Sequence, residues 1–453
     1  MSHLPGMNEG MFIPAEARDH AFGLAGPVSR NSCLHLAKTV PFYFATGRQT
    51  LMKRILPVIV IAQFLCTSLW FAGNAIITDI AQDLHLEPSF LAHLTSAIQF
   101  GFITGTLVFA VFTISDRFSP SKVFFVSSLL AGMFNLGISI HGIHSTEILV
   151  FRFLTGFFLA GIYPVGMKIA SDYFQAGLGK SLGFLVGALV IGTAFPHLLK
   201  NYTEGFPWKY VVYATTSLSF LGGLSILLFV PDGPYRKYSQ QLNITDFLKG
   251  FRQPDFRAAA YGYFGHMWEL YTFWAFVPVM LTAYRLRYPE AQLNVPLLSF
   301  LIIASGGLAC AVSGILSQQV GVRKLATLSL FLSCACCLAS PLFLFSFPAT
   351  RLIVFLFFWG LVVVADSPLF STLVAQSAPQ ESRGTSLTIV NSIGFSITIV
   401  SVQFISMMAT NMDAHYLYVL LAIGPVLGLI ALTKNTTNAS HQLRSVGSIV
   451  NEG

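Results

Sequence analysis

Four ionisable residues, Arg152, His266, Glu269 and Asp366, fall deep inside stretches that are otherwise apolar. His266 and Glu269 share one of them, Gly262 to Phe276, which reads GYFGHMWELYTFWAF. A charged side chain at the centre of a segment long enough to cross a bilayer costs roughly 2.5–3.5 kcal/mol, so it faces a protein interior or a watery cavity rather than lipid. A carboxylate whose surroundings alternate between dry and hydrated can load and release a proton, and an arginine beside it can tune that proton or hold an anionic solute. Two carboxylates, one histidine and one arginine suit such work. On a helix, Gly262, His266, Glu269, Thr272 and Phe276 form one stripe, flanked by Trp268, Tyr271 and Trp274. Glu269 is placed about twelve residues, or roughly 18 Å of rise, into its span.

Each of these residues also has a purely structural reading. His266 and Glu269 could satisfy each other, Arg152 could snorkel to the outer interface, and Asp366 could partner another helix. Asp366 lies in VVVADSPLF, two residues before Pro368. The proline removes a backbone hydrogen bond and crowds the carbonyl of Val364, which predicts a kink with polar backbone beside a carboxylate. Lys168 and Asp172 read as a local pair four residues apart, and Asp79 and His197 as interfacial residues.

The rest of the chain has to hold these groups in a membrane. It has 453 residues, 54% hydrophobic and only 10% charged, with 42 Phe and a mean hydropathy of +0.68. Soluble domains carry about 25% charged residues, so this composition describes an all-α, polytopic membrane protein. The net charge of +7 does not point to nucleic acid, because the basic residues lie between apolar segments and not on an aromatic-interleaved patch. Cys66, Cys310, Cys334, Cys336 and Cys337 sit in apolar runs, which argues against a disulfide framework or a zinc site, and no cofactor or metal is expected. No HExxH or GxxxxGK motif occurs, so an enzyme is not expected either.

Apolar runs of roughly 20 residues predict about twelve helices, half of them between residues 55 and 230 and half between 258 and 433. The expected organisation is a cytoplasmic tail (1–50), a first bundle (51–230), a cytoplasmic connector (231–256), a second bundle (257–433) and a cytoplasmic tail (434–453). A start at Met52 would open the chain directly on the first helix. Arg117, Lys122, Arg236, Lys237, Lys249, Arg252, Arg323 and Lys324 fall on one side of the membrane, against Lys200, Lys209, Arg285, Arg287 and Arg351 on the other. Basic loops stay inside, which places both termini in the cytoplasm.

The two sets of runs repeat one another. Trp70 and Trp274, Gly156 and Gly360, and Pro164 and Pro368 share one spacing of 204 residues, and GKSLGFLVG at Gly179 answers GTSLTIVNS at Gly384. Parallel repeats with a site between them near the midplane are a transporter architecture. After the eighth run stands GILSQQVGVRK, in which Gly314, Gly321, Arg323 and Lys324 resemble the loop signature of the major facilitator superfamily, with Gln318 and Gln319 at its acidic and first basic positions. The first-half copy, SDRFSPSK, keeps Asp116, Arg117 and Lys122 without the glycines. In RFLTGFFLAG, Arg152, Gly156 and Ala160 match the family's fourth-helix pattern, and APQESRGTSLTIVNSIGF is also similar to it.

The chain thus resembles prokaryotic members of that superfamily over about residues 52–433. The resemblance implies twelve helices in two six-helix pseudo-repeats, a monomer, a small-molecule substrate, and a link between Arg152, the central cavity and proton coupling. GHMWELYTFW is similar to sequences labelled nitrate and nitrite porters, but the arginines of that branch in the second and eighth spans are absent, as are its Gly-Asn pairs in the fifth and eleventh, so nitrate is not expected.

The function expected is proton-coupled secondary transport of a small solute across the cytoplasmic membrane. Glu269, Asp366, His266, Arg152, Trp268, Tyr271, Trp274 and Tyr163 are the candidates for substrate binding or proton coupling, and Asp116, Arg117, Gly314, Gly321, Arg323 and Lys324 for the conformational change. A proton-driven efflux antiporter and a sensor without flux are the alternatives. The partners expected are the solute, protons and lipid, and not nucleic acid.

Overall fold

The computed structural model describes residues 54–87, 89–174, 178–236, 250–346, 348–379 and 383–434. The N-terminal tail, the C-terminal tail beyond Lys434, and Lys237 and Lys249 of the connector lie outside the described residues. The helices belong to one compact unit, Ile55–Gly453.

Every regular element among the described residues is a helix. The first helix, α1, runs Arg54–Thr67 and resumes after a break as Ala72–Ala75 and Ile77–Asp83. Then come α2 (Phe90–Val111), α3 (Pro120–Gly137), α4 (Ser145–Leu159 and Tyr163–Tyr173), α5 (Leu178–Tyr202) and α6 (Lys209–Phe229). The second repeat holds α7 (Pro254–Arg287), α8 (Val295–Val320), α9 (Val322–Phe343), α10 (Ala349–Ala365 and Ser367–Ser377), α11 (Arg383–Met408) and α12 (Ala414–Lys434).

Among the described residues, nine of these are long and apolar enough to cross a membrane. Three differ from the uniform spans expected. α1 is interrupted at its middle, α3 is short and carries Lys122 and Asn135, and α7 carries His266 and Glu269. α7 is also longer than expected at 34 residues, because Pro254 fits its first turn and the helix begins there, so Glu269 lies near its centre.

Glycine sets how closely the helices approach. The Cβ that Gly156 lacks would lie on the carbonyl of Ile98 in α2, and the Cβ that Gly360 lacks would lie on the carbonyl of Ile302 in α8. Both members of the second contact stand 204 residues after those of the first, so the repeat seen in the sequence recurs as a packing contact. Gly187 on α5 meets Gly307 on α8 in the same backbone-to-backbone fashion, joining the two repeats. Such small-residue contacts are how helices associate where water supplies no hydrophobic drive. Phe100, Leu107, Leu221, Leu308 and Phe331 point outward and are exposed, as lipid-facing side chains are.

Both proline sites break their helices as expected. α10 stops at Ala365 and restarts at Ser367 with Asp366 between, and α4 stops at Leu159 and restarts at Tyr163 with Pro164 next. The break is common to the two repeats and the carboxylate is not.

Candidate functional site

A cavity of about 620 Å³ runs between helices of the two repeats, walled by α2, α4 and α5 on one side and α7, α10 and α11 on the other. One end is shut by an aromatic cap. Trp70 lies 4.8 Å from Phe102, 5.8 Å from Tyr271 and 5.7 Å from Phe395, and Phe71 meets Trp274 edge-on at 6.2 Å, all between ring centroids. Beside the cap, Thr398 donates to Gln99 at 2.7 Å and Gln403 donates to Ser96 at 2.8 Å, tying α11 to α2. At the other end Ser171, Gln376 and Gly384 line the cavity and are exposed, so it opens there.

The polar stripe of α7 does not face this cavity. Tyr263, Met267, Leu270, Tyr271 and Trp274 do, while His266 and Glu269 point into the second repeat. They do not pair with each other. His266 Nδ1 stands 2.8 Å from Asp366 Oδ1, both side chains being 1% exposed, and His266 Nε2 and Asp366 Oδ2 have no protein partner among the described residues. The pair lies just behind the wall, since Val364 and Ser367 on either side of Asp366, and Tyr263 and Met267 around His266, line the cavity. The break in α10 explains the position, because Asp366 ends one helix and begins the next.

Glu269 is held differently. Trp359 Nε1 of α10 donates to Oε1 at 2.6 Å and Ser333 Oγ of α9 donates to Oε2 at 2.9 Å, so both oxygens are engaged. Thr272 donates to Ser401 at 2.8 Å and Trp268 Nε1 donates to the Leu420 carbonyl at 3.2 Å, so this face of α7 joins α11 and α12. Of the aromatic candidates, Tyr163, Tyr271 and Trp274 line the cavity and Trp268 does not.

Arg152 neither snorkels nor enters the cavity. It is fully buried, and its guanidinium donates to the carbonyls of Leu69, at 3.0 Å, and Trp70, with Asn135 Oδ1 at 3.4 Å. Those carbonyls are freed by the break in α1, and a planar fork of donors can satisfy two of them at once. Arg152 therefore holds the backbone on which the cap residue Trp70 sits. Arg152→Met should lower thermal stability in detergent by about 3 kcal/mol, because the buried Trp70 carbonyl loses its donor and the Leu69 carbonyl is left with the long contact from the Ala72 N–H, at 3.5 Å. Arg152→Lys should restore only part of that, which parallel melting curves would measure.

A family model for the Major Facilitator Superfamily matches residues 59–402, spanning the cap, the cavity walls and both broken helices. The chain belongs to the major facilitator superfamily. Among curated members, it is 25% identical over 181 residues to the probable galactarate/D-glucarate transporter GudP of Escherichia coli (strain K12), covering 38% of each chain. It is 28% identical over 170 residues to the 4-hydroxybenzoate transporter PcaK of Acinetobacter baylyi (strain ATCC 33305 / BD413 / ADP1), covering 34% of this chain and 33% of that one. The chain thus spans 38% of the length of the first relative and 33% of the second.

The superfamily loop residues sit at the open end. Lys168 lies 2.6 Å from Asp116 and 3.9 Å from Asp172, so its nearer partner is the loop aspartate and not the residue one turn along. Arg236, from the connector, donates to the carbonyls of Asp116 and Phe118 at 2.8 and 2.7 Å. Among the described residues, Arg117 donates to Thr113, at 3.1 Å. Without a glycine, the first loop turns through Thr113 at a φ of 48°, where the second uses Gly321 at 94°. A side chain in that left-handed region costs roughly 1–2 kcal/mol, which glycine avoids. Arg323 joins Asp255 and the carbonyl of Leu432, both at 3.0 Å, fastening α9 to α7 and α12, while Lys324 is exposed. Gly314 passes Gly183 of α5. Asp79 pairs with Lys200, and His197, near the end of α5, is buried.

Sequence reasoning missed Tyr263, Phe102, Phe395 and Asn391 as cavity residues of this superfamily member. Asn391 could have been found as an amide within an apolar run. Phe102 and Phe395 carried no such signal in a chain with 42 phenylalanines.

Proposed function

We propose that this protein is a proton-coupled secondary transporter that moves a small organic solute across the cytoplasmic membrane by rocking of two six-helix bundles, 51–230 and 257–433, with both termini in the cytoplasm. The observation that carries the reading is a cavity between the repeats, sealed at one end by aromatic side chains and open at the other. That is one limb of an alternating-access cycle. The Lys and Arg distribution supports a cytoplasmic position for the open end, with Asp116 and Lys168. The printed solutes of the two relatives, a sugar diacid and a hydroxybenzoate, support a small organic solute for this chain as well.

His266 and Asp366 are the proposed proton site. Two titratable groups in contact can share one proton, and an unpartnered atom on each leaves a place for it to arrive and leave. Glu269, with both oxygens already engaged, is proposed as a structural tie and not the carrier. The direction proposed is symport into the cytoplasm.

The test is reconstitution in proteoliposomes with an imposed pH gradient and a pH-sensitive dye inside. Solute added on the acidic side should drive proton entry that stops when the protein is omitted. Proton exit on adding solute would reverse the direction to efflux. Saturable binding without solute or proton flux would overturn the transporter reading in favour of a sensor.

A further inference from the structure

The chemistry of the cavity wall selects its solute. Among the described residues that line it, Asp116 and Lys168 are the charged ones, and they stand 2.6 Å apart at the open mouth. The central section, from the aromatic cap to the level of Tyr163, carries no formal charge. The buried cation nearest the cap, Arg152, is engaged by the Leu69 and Trp70 carbonyls and does not line the cavity. An ionised carboxylate transferred to such a place has no opposite charge to meet, and burial of an unpaired charge is strongly unfavourable.

What the central section does offer is flat apolar surface with hydrogen-bonding groups held ready. Trp274 lines it with its ring, 1% exposed, while its Nε1 is itself buried and has no acceptor among the described residues. Tyr163, Tyr263, Tyr271 and Asn391 line the same space, and their hydroxyls and amide hydrogen-bond no other described residue. Hydroxyls and an amide that line a cavity and are not engaged by other side chains are free to bond a solute there. Tyr271 and Trp274 meet at 66°, 5.1 Å apart, with Phe395 5.2 Å from Tyr271, an angular arrangement that fits the edges and faces of a ring. The volume of about 620 Å³ falls in the range of roughly 300–1,000 Å³ usual for small-molecule sites.

We propose that the cavity binds an uncharged solute with an aromatic body and a carbonyl or hydroxyl acceptor, recognised by Trp274, Tyr271, Tyr263 and Asn391. This rests on the transporter reading above and departs from the acids that the two relatives carry by name.

The experiment measures binding of four probes to the full chain in detergent at pH 7.5 by calorimetry: benzamide, benzoate, galactarate and sorbitol. Benzamide should bind at least about tenfold more tightly than each of the others, the difference expected when one charge or one aromatic face is mismatched. Asn391→Ala should weaken benzamide about fivefold by removing one hydrogen bond. Tyr271→Phe, which keeps the ring and removes the hydroxyl, should weaken it similarly. Tighter binding of benzoate or galactarate overturns the proposal in favour of an anion site, and equal or tighter binding of sorbitol overturns the aromatic part. No benzamide binding at 10 mM (about 2.7 kcal/mol of affinity) to monodisperse protein also overturns it. Counterflow of the same probes in proteoliposomes separates the two readings. Benzamide binding without counterflow sinks the transporter and leaves the solute class, whereas counterflow of galactarate alone sinks the solute class and leaves the transporter.

Discussion

Asp366→Asn is expected to abolish proton-driven accumulation while leaving solute counterflow intact. With one proton per solute, a gradient of about one pH unit supports roughly tenfold accumulation, since each unit is worth about 1.36 kcal/mol. The variant should fall to a ratio near one in proteoliposomes under that gradient. The change is isosteric and leaves the break in α10 in place, so the protein should still fold and still exchange labelled for unlabelled solute. His266→Gln should behave in the same way, because the proposed proton site is the pair and not either residue alone. Glu269→Gln is the control, with accumulation retained, as the amide oxygen can still accept from Trp359 or Ser333. Full accumulation by Asp366→Asn together with loss in Glu269→Gln would move the proton site to the centre of α7.

The second large effect is steric. Gly156→Leu should cost about 3 kcal/mol or more and yield little monodisperse protein, because its Cβ would fall on the Ile98 carbonyl, a backbone atom that cannot rotate away. Gly360→Leu should fail equally against Ile302. Gly384→Ala, at a position where an added Cβ meets nothing, should be tolerated. Size-exclusion profiles of the three variants after detergent extraction distinguish the cases. Comparable yields for all three would mean that α2 and α4 separate more easily than their contact implies.

The contrast between glycines and charges shows what was legible in the sequence. Spacing alone relates Gly156 to Gly360 and Pro164 to Pro368, and the structure returns both as equivalent contacts and breaks, because backbone packing follows local residue type. The charged residues behave otherwise. His266 and Glu269, three residues apart, read as one site on one stripe. In the folded chain His266 reaches Asp366 while Glu269 reaches Ser333 and Trp359. Nothing in the periodicity of α7 encodes which neighbour each one meets. The same holds for Arg152, whose partners are carbonyls exposed by the break after Thr67, in a stretch without proline. Lys168 prefers a loop aspartate distant in sequence over the adjacent Asp172 for the same reason. The cavity's phenylalanines are invisible in the sequence because apolar residues fill lipid-facing and inward positions alike in a membrane chain.

The absence of formal charge along the central cavity has an electrical consequence. A solute that enters uncharged and travels with one proton carries one net positive charge across the membrane in each cycle. A potential of about 100 mV, negative inside, then adds roughly 2.3 kcal/mol to the driving force. That is roughly a fiftyfold further concentration ratio at no pH difference at all, so the reconstituted protein should generate a measurable inward current when its solute is supplied. A monoanion moving with one proton would be electrically silent.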